Sequence, residues 1–266
     1  MSLKVHEVNV RSFFNPSKLA DFVVNPYVGC PHKCRYCYAE FMKKFTHHSE
    51  PWGDFLDVKR CDRFPRPSSL RGKHVLISTV TDPYNPFEKR YGVTRQILEF
   101  LAECEDVHVG ILTKSDLVLR DRDVLKKIAH VRIMFSMNSL DDTFRKIFEP
   151  HAISPERRRN ALKTLHDDGF VTGIFQSPTF PELTDFRALI ESVRDISNVF
   201  WFENLKLRTL YRTQVLNLVR IHYPELFPLY EYLFLHGGAE GYWAARQAEI
   251  EEYCQQRGIE PAIYFS

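Results

Sequence analysis

Three of the six cysteines fall close together, as Cys30, Cys34 and Cys37 in the run Asn25-Pro26-Tyr27-Val28-Gly29-Cys30-Pro31-His32-Lys33-Cys34-Arg35-Tyr36-Cys37-Tyr38-Ala39. The C-x3-C-x2-C spacing offers three thiolates from one loop, enough to hold three irons of a cubane. The iron without a protein ligand is then open to a molecule that binds metal directly. Structural zinc prefers four tetrahedral ligands from paired C-x2-C units, so His32, His47 or His48 would have to complete it, in a spacing that matches no common finger. A packing role fits poorly, because the loop is polar and flanked by Gly29 and Pro31. Of the dispersed cysteines, Cys104 and Cys254 lie in helical patterns and are expected in the core. Cys61 is left as a hydrogen donor, a substrate-linking thiol or a surface residue.

A second set of polar residues recurs at the ends of apolar runs: Ser78-Thr79-Val80-Thr81-Asp82, Thr113-Lys114-Ser115, Ser136-Met137-Asn138-Ser139, Gln176-Ser177 and Glu203-Asn204. The preceding runs, at 74–78, 107–112, 131–135, 171–175 and 199–202, read as strands, with a short first strand at 22–24. Helical spacing over 94–104, 121–129, 155–168 and 184–194 separates them, with Ser154-Pro155-Glu156 and Thr184-Asp185 as helix starts. This βα alternation predicts six parallel strands joined by right-handed crossovers, as a partial barrel or an open doubly wound sheet, the barrel being favoured. In either case the strand C-terminal ends form the edge where a small polar ligand binds. Beyond Leu210 the pattern turns to consecutive helices, at 212–221, 225–236 and 239–257, and a short apolar tail at 263–265. Residues 1–210 are thus expected to form the core and 211–266 a C-terminal helical cap packed on it.

Hydrophobic residues are 44% and charged residues 26% of the 266, ordinary for a soluble globular protein, and no apolar run reaches the roughly 20 residues that span a bilayer. Charges at Lys4 and Glu7 interrupt the N-terminus, which predicts no secretory signal, a cytoplasmic protein and reduced cysteines. The 36 basic and 34 acidic residues leave a net charge of +2, too balanced for a dedicated nucleic-acid binder. Lys43-Lys44 and Arg157-Arg158-Arg159, the densest basic groups, read as solvated helix faces.

The cysteine loop with Tyr36 before its last cysteine resembles the signature of the radical S-adenosylmethionine superfamily. Glu50-Pro51-Trp52-Gly53-Asp54-Phe55 with Val58-Lys59, Ser78 to Tyr84, Leu112-Thr113-Lys114-Ser115 and Leu119-Arg120-Asp121 follow in an order similar to its spore photoproduct lyase-like branch, over residues 25–208. The resemblance implies a partial (β/α)6 barrel with a 4Fe–4S cluster on Cys30, Cys34 and Cys37. The open iron would chelate S-adenosylmethionine, which an electron from a flavodoxin- or ferredoxin-like donor would cleave. The products are methionine and a 5′-deoxyadenosyl radical that abstracts hydrogen from a substrate. By the same resemblance Tyr36 lies near the adenine, Ser78 and Thr79 near the amino group or ribose, Lys114 near the methionine carboxylate, Ser136 and Asn138 on the ribose side, and Arg158 toward the methionine moiety. Asp82 is read either as a turn initiator or as a cofactor residue.

The stretch 76–84 has no cysteine, whereas the photoproduct lyase carries its hydrogen donor near there, which argues against photoproduct repair by the same route. The leading expectation is a lyase-type enzyme that rearranges or cleaves a bond in a peptide, resembling the peptide spliceases, with a separate recognition protein. The cap aromatics Tyr230, Tyr232, Phe234 and Tyr242 are either its docking surface or core. Two alternatives stand beside it: repair of a DNA lesion extruded into the barrel mouth, and a non-catalytic metal-binding module.

Overall fold

The computed structural model describes residues 3–265, with backbone alone at 209 and 210. Its strands are β1 (Lys4–Asn9), β2 (Phe14–Pro16), β3 (Phe22–Val24), β4 (Tyr27–Val28), β5 (Phe55–Arg60), β6 (His74–Ile77), β7 (His108–Thr113), β8 (His130–Ser136), β9 (Val171–Thr179), β10 (Val199–Asn204) and β11 (Pro261–Tyr264). The main sheet runs β2-β3-β6-β7-β8-β9-β10-β11. Six strands from β3 to β10 are mutually parallel, β2 is antiparallel at one edge and β11 parallel at the other. The six stand side by side in chain order. A doubly wound sheet reverses its order at a switch point, whereas unreversed winding curls into a barrel. Because β2 and β11 end the sheet without pairing to each other, the barrel is partial.

The helices are α1 (Glu88–Tyr91), α2 (Val93–Leu101), α3 (Arg122–Leu125), α4 (Asp142–Phe148), α5 (Pro155–Asp167), α6 (Phe186–Val193), α7 (Thr209–His222), α8 (Phe227–Leu235) and α9 (Ala239–Gln255). Helix α5 begins where Ser154 Oγ accepts from Arg157 N (3.3 Å) with Pro155 in its first turn. Helix α6 begins where Asp185 accepts from Arg187 N and Ala188 N. The helix expected over 121–129 is shorter, α3, after a 3-10 stretch at Asp116–Asp121. Buried Asp121 is drawn into ion pairs with Arg95 and Arg120 there, and its side chain does not cap.

In β7 and β10 every second residue is buried, and Val109, Ile111, Phe200 and Phe202 join the core beneath the helices, whereas β8 is buried without a break from Ile133 to Ser136. The face turned away from the helices carries Phe175, Trp201 and Tyr264 in mutual edge-to-face contact, with Arg132 5.8 Å over Trp201. This differs from the near-continuously apolar strands of a fully buried sheet, because the inner face of an open barrel is left for ligand and polar groups.

Several elements lie outside the sequence expectation. Strands β1, β5 and β4 form a separate three-stranded sheet. Helix α4 ends on Glu149, a residue of the site described below. The apolar tail is β11, paired with β10, so the last three helices return the chain to the main sheet. A second apolar cluster, including Phe144, Phe148, Phe180, Val215, Tyr230 and Trp243, joins α4 and the C-terminal helices to Tyr36 of the cysteine loop.

Candidate cofactor site

The cysteine loop leaves the small sheet at Val28. Gly29 takes φ +84°, and a Cβ there would stand 2.3 Å from Phe55 O. Gly53 takes φ +93°, and its Cβ would meet Lys33 Cγ at 2.7 Å. Each strand of chain thus passes the other at a distance that only glycine tolerates. The Lys33–Asp54 ion pair ties the loop to residues 51–54, and Arg35 N donates to Phe148 O (2.8 Å). Buried His32 is held between Asp82 (Nε2 to Oδ2, 3.1 Å) and His151 O (3.3 Å). Tyr36 donates its hydroxyl to Glu149 and accepts from Asn138 Nδ2 at 2.8 Å.

The three thiols are partly buried. Desolvation pushes each up to about 12, helped by Asp82 at Cys30 and by Cys34 at Cys37. Three thiolates in so dry a place need a cationic centre to offset them. Three sulfurs from one loop suit a cubane, which takes each at a different corner and leaves the fourth to a bound molecule. Buried Trp52 Nε1, beside the Cys37 sulfur, has no partner in hydrogen-bond geometry among the described residues, so its N–H would be free to donate to a cluster thiolate.

The strand ends beside the loop form two hubs. Asp82 accepts from His32, Thr113 Oγ1 (2.7 Å), Lys114 N (2.7 Å) and Tyr84 N (2.9 Å). Its burial would raise the pKa, but His32 and the other donors outweigh it and hold the carboxyl below the usual range. Glu149 receives Tyr36, Arg158 and, at 3.4 Å, Asn138 Nδ2, with Lys114 Nζ 3.9 Å away. Here burial again opposes ionisation, and the charges of Arg158 and Lys114 with the Tyr36 hydroxyl prevail, so Glu149 is also lowered. Burial and Glu149 together drive the Tyr36 phenol well above its ordinary value.

Lys114 Nζ donates to Ser136 Oγ at 2.6 Å and lies 6.0 Å from the Tyr36 ring centre. Arg158 is 1% exposed, and its donors reach Ser136 O, Ile153 O and Glu149. Its neighbours point elsewhere, Arg157 to Asp116 and Arg159 to Ser192 O. Ser78, at φ +76°, turns its hydroxyl to Thr81 O, and Asn25 Oδ1 holds Thr79 N and Val80 N. Gln176 Nε2 donates to Asn138 O at 2.9 Å. Asn138 Oδ1 and Thr81 Oγ1 are buried without partners, polar atoms of the kind that meet the hydroxyls and amino groups of an adenosine.

Tyr36, Lys114, Ser136, Asn138 and Arg158 therefore converge through Glu149, while Ser78 and Thr79 lie on the Asn25 and Asp82 side of the loop. Glu149 is the site residue that the motifs leave unmarked, whereas Asn25, His32, Trp52 and Gln176 stand in the quoted motifs and strand ends without a cofactor role assigned to them. Glu149 has one local signal, its place just after the Phe144/Phe148 helical pair. Cys61 is not at the surface: it is buried in the main core and its S–H donates to Arg63 O (3.2 Å). Cys104 and Cys254 are buried there too. In the cap, Tyr230 is core and donates to Pro181 O, whereas Tyr232 is exposed.

A family model described as the Radical SAM superfamily matches residues 24–194. An uncharacterized protein of Methanocaldococcus jannaschii is 33% identical, the match covering 85% of this chain and 86% of the relative. One of Mycobacterium tuberculosis is 30% identical over 68% of this chain and 57% of its own length. Among solved structures, spore photoproduct lyase complexed with dinucleoside spore photoproduct superposes with TM-score 0.65 at 16% identity, over 95% of this chain and 79% of that one. Streptococcus suis SuiB bound to S-adenosylmethionine gives 0.54 at 12% identity, over 100% of this chain and 51% of that one. No helix among the described residues is long and apolar enough to cross a membrane.

Proposed function

The chain belongs to the radical SAM superfamily, its cofactors are a 4Fe–4S cluster and S-adenosylmethionine, and from that premise we propose an enzyme that removes a hydrogen atom from a peptide to rearrange or cleave one of its bonds. The cofactors supply the radical chemistry. Cys30, Cys34 and Cys37 hold the cluster, and the Lys114 ammonium, aimed along the strand ends by Ser136, takes the methionine carboxylate. Asn138 Oδ1 accepts from the ribose side, Tyr36 borders the adenine, and Ser78 and Thr79 border the amino group or ribose. Arg158 serves at one remove, because its donors are engaged by protein and fix Glu149 and the Ser136 carbonyl. The observation that carries the assignment is the meeting of the cysteine loop with the Lys114–Ser136–Asn138 edge around one buried carboxylate.

The charge at the mouth supports a peptide. Tyr38 and Tyr211 each lie within electrostatic reach of both Cys37 and Glu203, and Glu203 accepts from Ser177 at 2.6 Å. Two phenols and a carboxylate, with Arg208 beside Tyr211, make a mixed surface that suits a peptide better than the uniformly basic one a phosphate backbone needs. In this reading residues 1–210 carry the cofactors, 211–266 cap the substrate side, and the enzyme works in the cytoplasm with a flavodoxin- or ferredoxin-like donor and a recognition protein. Likeness to spore photoproduct lyase supports a second reading, a DNA lesion lyase. Deuterium transfer from labelled substrate into 5′-deoxyadenosine decides between them: peptide libraries are expected to label the product, and label from a thymine dinucleoside lesion alone would overturn the peptide assignment.

A further inference from the structure

The small sheet holds a cluster of side chains that the cofactor site does not use. Parallel pairing of β1 with β5 sets His6 opposite Asp57. Residues 46–50 then bring His48 over the same carboxylate, where it lies between Phe55 (ring centres 3.8 Å apart) and His6 (5.2 Å, nearly parallel). His48 Nε2 is 2.8 Å and His6 Nδ1 3.8 Å from Asp57 Oδ1, and all three atoms lie within 4.8 Å of one another.

We propose that His6, His48 and Asp57 form a binding site for one divalent transition-metal ion of the zinc class, separate from the iron–sulfur cluster. Two imidazoles and a carboxylate are a donor set that zinc takes with a fourth position open. Bonds of 2.0–2.1 Å in tetrahedral geometry set ligand atoms roughly 3.3 Å apart. The observed 2.8 and 3.8 Å bracket that spacing, so shifts of about half an ångström, with half-exposed His6 turned out of its stack on His48, close the site.

The second layer supports it. Glu50 Oε2 lies 3.3 Å from His48 Nδ1 and is itself paired with Lys4. Two carboxylates thus flank one imidazole. A proton on Nδ1, given to Glu50, leaves the Nε2 lone pair directed at the Asp57 side, the carboxylate–histidine–metal arrangement that fixes a ligand's tautomer. His48 and Asp57 are largely buried, His6 is half-exposed, and the group borders a cavity of about 530 Å³ lined also by Val28, Met42 and Thr46. That cavity gives the open position access to water or a small anion. The other converging group, Asp106, His108 and His130, has two exposed members and, among the described residues, no such carboxylate behind its imidazoles. A metal at His6, His48 and Asp57 would clamp β1, β5 and residues 46–50 together, beside the β4 exit that carries Cys30.

The test is metal analysis of the anaerobically reconstituted, iron-loaded full chain, titrated with Zn2+ and, for spectroscopy, Co2+. One zinc per chain is expected to stay bound after desalting, beyond any metal at the cysteines, and the cobalt spectrum should lack sulfur-to-metal charge transfer. Glu50→Gln should weaken zinc binding about 10- to 100-fold, and His6→Ala and Asp57→Asn should weaken it at least as much. Cys30→Ala should leave it unchanged. Because His6 is half-exposed, metal-free His6→Ala should melt like the parent protein, which separates ligand loss from misfolding. Absence of zinc from the wild-type chain, or equal zinc in wild type, His6→Ala and Asp57→Asn, would overturn the site.

Discussion

Glu149→Gln tests the buried hub from which the cofactor edge is built. The substitution keeps the shape and removes the charge, and the Arg158 guanidinium, 1% exposed, loses its one carboxylate partner. Stranding a charge by removing one partner of a buried pair costs about 3–5 kcal/mol. At roughly 2–4 °C per kcal/mol for a chain of this size, the apoprotein should melt about 6–20 °C lower. The pH dependence follows from the direction of the shift. Because the folded-state pKa of Glu149 lies below its ordinary 4.5, the ionised carboxylate contributes its full stabilisation above 4.5 and loses it as pH falls through the lower folded value. The gap in melting temperature between wild type and Glu149→Gln should therefore be constant above about pH 6 and narrow below 4.5. Circular dichroism melts across pH measure both. A gap under 2 °C at neutral pH, or one that widens on acidification, would refute the hub.

Gly29→Ala, whose Cβ would stand 2.3 Å from Phe55 O at φ +84°, should cut iron retained after reconstitution to a minor fraction while the fold's circular dichroism persists. Trp52→Phe removes the buried N–H beside Cys37; a net bond of about 1 kcal/mol is roughly 40 mV for one electron, so spectroelectrochemical titration should find the cluster potential about 20–60 mV more negative. Lys114→Met should weaken S-adenosylmethionine binding by about 10- to 100-fold in equilibrium dialysis of cluster-loaded protein, from loss of a charged hydrogen bond of about 1.5–3 kcal/mol. Unchanged affinity would remove Lys114 from the site.

The parts legible in the sequence are those with a local signature. Strands β3 and β6 to β10, the caps at Ser154 and Asp185, and the cysteine loop each follow from a short stretch of residues, and the loop's spacing alone narrows the metal chemistry. The small sheet escaped because β1 is largely polar, with exposed Lys4, His6, Glu7 and Asn9 interrupting any alternation, and because β5 pairs with residues some fifty positions away. Glu149 escaped for a related reason: a carboxylate buried by Arg158, Tyr36 and Lys114 looks, in one dimension, like any acidic residue after a helix. Arg158 shows the converse. Its place in a basic triplet suggests a solvated face, yet it is the most buried of the three, because its helical phase turns it toward Ser136 and Glu149 while Arg157 and Arg159 turn outward.

The most direct test of the central claim is the release of 5′-deoxyadenosine by the anaerobically reconstituted, reduced protein supplied with S-adenosylmethionine, alongside Cys30→Ala, Cys34→Ala and Cys37→Ala variants. Product is expected from the wild-type chain, with loss of both iron and product in each variant. A fully cluster-loaded wild-type chain that releases no more 5′-deoxyadenosine than its cysteine variants, with donor and candidate peptides present, would contradict it.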